Sequence, residues 1–97
     1  MKATIETLTE NRNQVIDILT SEFGSEKLRP AMVMLKNHVE EAEMMNSSDT
    51  LERVISNFID SCPFRTNKSS KTADMIAEMA ENRGEVWNSK EQKFVKL

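Results

Sequence analysis

Apolar residues recur at helical spacing along most of the chain. Between Thr4 and Phe23, the residues Ile5, Leu8, Val15, Ile16, Leu19 and Phe23 fall on threes and fours once Arg12 is admitted to the stripe. That pattern predicts a first amphipathic helix over about residues 5–23. Thr7 and Glu10 have capping-box spacing, which would start the regular helix at Thr7 and leave Lys2 to Glu6 as a frayed lead-in. Gly24 offers the left-handed position that ends many helices.

A second helix is expected over about 28–45, with Pro30 in its first turn, where a missing N–H costs nothing. Leu28, Met32, Leu35, Val39, Ala42 and Met45 are spaced by four, three, four, three and three, near the rhythm of a packed helix pair. Ala31, Met34 and His38 lie beside that seam and widen the apolar face beyond what one neighbour covers. After the polar break Asn46-Ser47-Ser48-Asp49, the pair Asp49 and Glu52 repeats the capping-box spacing. A third helix over about 49–62 follows, its stripe Leu51, Val54, Ile55, Phe58, Ile59 and Cys62 being the cleanest in the chain, and Pro63 stops it. Residues 64–71 read as a polar loop. A fourth, alanine-rich helix is expected over about 72–83, with Ala73, Ile76, Met79 and Ala80 on one face, ending at Gly84. In the tail, 85–97, Val86-Trp87 and Phe94-Val95 flank a polar turn, which reads as a β-hairpin or extended tail. A lone hairpin is marginal in water, so Trp87 and Phe94 must dock on the helices or on another subunit.

The fold class that emerges is mainly α: one domain spanning 1–97, a small bundle of four helices with a C-terminal hairpin or tail. Composition narrows it further. Two Gly and two Pro are too few for an all-β chain of many tight turns or for a glycine-rich phosphate loop. Leu, Ile, Val and Phe together number 22 of 97, just above the fifth below which chains tend to stay disordered. The core is therefore thin, and a homodimer sharing apolar surface from the second helix would thicken it. No apolar run is long enough for a signal peptide or a membrane span, so a soluble, cytoplasmic protein is expected.

Charge changes the functional picture. The net charge is −3, with an excess of three cations concentrated between Pro63 and Thr72. Helix, helix and terminal hairpin is also the element order of a winged helix, with residues 72–83 as the reading helix and Lys90, Lys93 and Lys96 on the wing. Asp74, Glu78 and Glu81 would then face phosphates, and the loop 64–71 is too long for a helix-turn-helix turn. Nucleic-acid binding is thus the alternative reading, resting on Arg65, Lys68, Lys71 and the tail lysines. A further alternative is an anion or nucleotide sensor, in which the same three cations join the free N–H groups at the start of the fourth helix.

Catalytic candidates are scarce. Cys62 closes an apolar stripe and reads as a small buried hydrophobe, and His38 reads as a hydrogen-bonded, partly buried histidine. One Cys and one His cannot build a zinc site from those ligand types, and no metal or cofactor is expected. Glu40, Glu41 and Glu43 point in different directions on a helix and read as a solvated face. Methionine is the remaining oddity. Met32, Met34, Met44, Met45, Met75 and Met79 gather on the second and fourth helices, and unbranched thioethers suit surfaces that repack against partners. The expectation is a small regulatory or adaptor protein, not an enzyme, that acts by occluding another protein. Its contacts would be Met34, His38, Met44, Met45, Trp87 and Phe94. Small acidic chains of this composition are common among phage and bacterial accessory proteins and inhibitors, an association of composition alone.

Overall fold

A computed structural model describes residues 2–62, 70–82 and 84, and the backbone alone of 85–88 and 93–96. Five α-helices lie among the described residues: α1 (Ile5–Glu10), α2 (Arg12–Phe23), α3 (Leu28–Met44), α4 (Leu51–Ser61) and α5 (Ser70–Asn82). A 3-10 turn, Ser25–Lys27, leads into α3. The backbone segments β1 (Glu85–Asn88) and β2 (Lys93–Lys96) are antiparallel in register, with Trp87 opposite Phe94. Residues 89–92 between them, and the side chains of both segments, lie outside the described residues.

The expected first helix is two. Its chain breaks at Asn11, whose side-chain amide donates to the Thr7 carbonyl at 2.8 Å and so competes with the backbone ladder there. The start also moves. Thr4, not Thr7, is the N-cap: the Thr7 N–H donates to Thr4 Oγ1 and the Thr4 N–H donates to Thr7 Oγ1, a capping box with threonine at both ends. Residues 2–4 are not a frayed lead-in. The Ala3 N–H donates to the Asp49 carbonyl at 2.9 Å, Lys2 bridges Thr50 as an isolated antiparallel pair, and Ala3 is buried. Beyond the break, Val15, Ile18 and Leu19 are the buried positions of α2, so Ile18 joins the core while Ile16 is only half-buried.

Helix ends follow local chemistry more than spacing. Gly24 has φ +84 and ψ 162, a conformation essentially reserved for glycine but different from the expected left-handed helical one. At the end of α3 that left-handed role falls to Asn46 (φ 54). The Ser47 N–H returns to the Ala42 carbonyl and the Asn46 N–H to the Glu43 carbonyl, the two bonds of a Schellman motif. The cap of α4 is Thr50, whose Oγ1 accepts from the Arg53 N–H at 3.2 Å. The Asp49–Glu52 box does not form, because Glu52 is buried in the interior instead. Likewise α5 begins at Ser70, before the expected Thr72, and Ala73 is exposed while Thr72 is buried.

The core takes its largest side chains from α4. Leu51, Ile55, Phe58 and Ile59 are fully buried there, meeting Val15, Ile18 and Leu19 of α2, Leu35 and Val39 of α3, and Ile76 and Met79 of α5. Phe23 packs edge-on against Phe58 with ring centroids 6.2 Å apart. Helix α3 packs on α1, α2 and α4, and α5 closes the remaining side against α2 and α4. A partly buried polar contact joins α5 to α2: the Thr72 hydroxyl donates to Glu22 Oε2 at 3.1 Å. Cys62 is a free, buried thiol that extends the apolar face of α4.

Candidate protein-binding surface

Helix α3 presents different sides to the core and to solvent. Ala31, Leu35 and Val39 recur at i, i+4 and i+8 and are buried. Past Val39 no residue of the helix is buried, and its last turn carries Glu40, Glu41, Glu43 and Met44. Met44 is 86 % exposed and Met45, the C-cap, 73 %. With Val33 at 57 %, these are the exposed large hydrophobic residues among those described. Val33 and Met44 are eleven residues apart, which returns them to one side of the helix about 16 Å apart, with Asn37 and Glu40 between.

The neighbouring line of α3, Met34, His38, Glu41 and Met45, borders a groove. An open cleft of ≈ 360 Å³ runs between this ridge and α4, lined by His38, Glu41, Ala42, Met45, Ser47, Asp49, Val54 and Asn57. Ser47 and Asp49 come from the α3–α4 loop, which is tied on its other side to residues 2–4. There the Lys2 ammonium also donates to Asn46 Oδ1 at 3.2 Å. Glu43 is not merely solvated. Its Oε1 accepts the Ile5 N–H at 2.9 Å, satisfying one of the free donors at the start of α1.

His38 is exposed, where a partly buried side chain was expected, and it is held in place from both sides. Its ring packs edge-on against the buried Phe58, with centroids 5.2 Å apart, and Nδ1 lies 2.9 Å from the Met34 carbonyl. A carbonyl only accepts, so Nδ1 donates in this bond.

Of the expected contact residues, His38 and Met45 meet in the groove, Met44 stands beside it, and Met34 is half-buried against the core. The side chains of Trp87 and Phe94 lie outside the described residues, as do Arg65 and Lys68 of the expected anion site. Lys71 is exposed in the first turn of α5, and Asp74, Glu78 and Glu81 are exposed further along that helix. Among the described residues, no three His, Cys, Asp or Glu side chains gather as a metal site, and no helix is long and apolar enough to cross a membrane.

Three polar residues of the interior escaped the sequence reading. Glu52 and Thr72 are fully buried, and Glu22 reaches the Thr72 hydroxyl. Spacing held the signal in each case: Glu22 follows Val15 and Leu19 by seven and three, Glu52 precedes Ile55 and Ile59 by three and seven, and Thr72 precedes Ile76 and Met79 by four and seven. Treating only apolar residues as stripe members hides such positions. Comparison of the chain with protein-family models, with curated proteins and with solved structures finds no match in any of the three.

Proposed function

We propose that this chain is a non-enzymatic regulatory or adaptor protein that works by binding another protein through the C-terminal end of α3. The observation that carries the reading is the exposure of the consecutive Met44 and Met45 beside an open groove, in a chain with few large apolar residues to spare. Single apolar residues on a surface need no explanation, but adjacent flexible thioethers at the mouth of a cleft make a contact patch that adapts to its partner. The mechanism is occlusion: the bound partner loses access to whatever surface it lays on this helix end. A C-terminal hairpin carrying Trp87 and Phe94, and self-association along α3, belong to the same proposal as additional contacts.

Affinity capture from the source cell, run in parallel with the wild-type chain and with a Met44→Lys, Met45→Lys variant, tests it. A protein recovered by the wild type and lost by the variant is the expected result. Recovery of the same set by both overturns the assignment of α3.

A further inference from the structure

We infer that the groove between α3 and α4 receives a segment of a partner protein in which an apolar anchor is flanked by lysine or arginine. The inference rests on the protein-binding reading above and gives that site its chemistry. Ala42, Val54 and the thioether of Met45 supply apolar surface, while among the described residues both charged ones that line the groove, Glu41 and Asp49, are acidic. The surroundings share that sign. Residues 37–49 contain four carboxylates and no Lys or Arg. Among the described residues, Lys2, bonded to Asn46, and Arg53, just before Val54 in the chain, do not line the groove. An acidic rim around an apolar floor attracts a basic, apolar segment and repels an acidic one with the same anchor.

Three features fit the groove to this occupant. Its volume, ≈ 360 Å³, is near the lower limit of small-molecule pockets, about 300–1,000 Å³, and its open mouth leaves room for anchor side chains projecting from a segment laid across it. The loop wall is ordered before binding, because the Asp49 carbonyl accepts the Ala3 N–H and the Asp49 N–H donates to Ser47 Oγ; little ordering entropy is left to lose on association. Finally, His38 on the groove wall is fixed by its edge contact with Phe58 and its bond to the Met34 carbonyl, so this wall too is set before a segment arrives.

The test is selection of random short peptides displayed against the full-length protein, followed by affinity measurement on the enriched sequences. The enriched pool should carry an apolar residue flanked by Lys or Arg. Affinity should fall about tenfold with Glu41→Lys plus Asp49→Lys, and severalfold with the nearly isosteric Glu41→Gln plus Asp49→Asn, which removes charge without reversing it. It should also weaken as ionic strength rises from about 0.01 to about 0.15 M, over which the screening length shrinks from about 30 to about 8 Å. Circular dichroism of each variant confirms that these exposed substitutions leave the helices intact. No enrichment, a pool without excess Lys or Arg, or peptides indifferent to both pairs of substitutions overturns the proposal. Peptides lost on Met44→Ser but indifferent to Glu41→Lys and Asp49→Lys overturn the groove and leave the protein-binding reading standing; captured partners indifferent to both sets remove that reading as well. A dimer mass in sedimentation that Glu41→Lys and Asp49→Lys abolish would show the occupant to be a second copy of this chain, and the proposed partner segment would be wrong.

Discussion

Helices α3 and α4 lie side by side, yet they use their apolar residues in different ways. In α4, six of eleven residues are buried; in α3 only three of seventeen are, although α3 touches α1 and α2 as well as α4. The difference is one of placement. The apolar residues of α4 share a side of the helix and turn inward together, whereas α3 and its C-cap leave Val33, Met44 and Met45 exposed. A short helix with a single apolar side is consumed by the core. A longer one with apolar residues left over has something to offer a partner.

The largest expected effect breaks the core at α4. Phe58 is fully buried and meets the rings of Phe23 and His38, so Phe58→Ala removes both edge contacts and leaves a cavity. Such truncations cost about 3–5 kcal/mol, a large part of the roughly 5–15 kcal/mol that stabilises a typical domain. Urea denaturation should show the midpoint collapse, or no folded baseline at all. A loss below about 1 kcal/mol, the scale of an ordinary surface or single-methylene change, would mean that α4 is not the centre of the core. The same substitution leaves the His38 ring held by its bond to the Met34 carbonyl alone and so loosens one wall of the groove, which links core to surface.

A smaller effect is expected at the entrance to α4. Thr50→Ala removes the acceptor for the Arg53 N–H and should cost about 1 kcal/mol, within the usual 0.5–2 range for such caps. Asp49→Ala should cost less, since only backbone atoms of Asp49 bond to Ala3 and Ser47. Equal losses for the two, measured side by side by denaturation, would return the cap to Asp49 and undo the assignment made from geometry.

These two neighbouring residues also show where sequence reading stops. The stripes of α3, α4 and α5 were legible because burial demands a repeating side, and Leu35, Val39, Ile55, Phe58 and Ile76 all fall where the spacing placed them. Caps were less legible. Asp49 and Thr50 both have the chemistry of an N-cap, and the cap falls to Thr50 in a loop shaped by contacts from 48 residues back, Lys2 with Thr50, which spacing does not show. The break at Asn11 was hidden for a related reason: an asparagine that bonds back to the Thr7 carbonyl looks, in a stripe count, like any other polar position. In the candidate site, Met44, Met45 and His38 were visible as unneeded or ambiguous members of a helix face. Val54, Asn57, Ser47 and Asp49 were not, because a groove exists only once two helices and their connecting loop are set side by side.

The smallest expected effect is the one that most sharpens the contrast within α3 itself. Leu35→Ala, in the buried line, should cost about 2–5 kcal/mol. Met44→Ser and Met45→Ser together should move stability by no more than about 0.5 kcal/mol each, the usual range for surface positions. Serine forgoes little burial at positions already 86 % and 73 % exposed, and the Schellman turn beyond them is made by backbone bonds of Asn46 and Ser47 that neither change touches. A severalfold gap between the two outcomes would divide α3 into a part that holds the fold and a part free to evolve for contact. If the serine variant instead lost stability on the scale of Leu35→Ala, Met44 and Met45 would be shielded by protein in solution, and the chain itself or a second copy would be the first surface to examine, since purified protein contains no other. Denaturation at two protein concentrations separates these, because only self-association makes the midpoint rise with concentration.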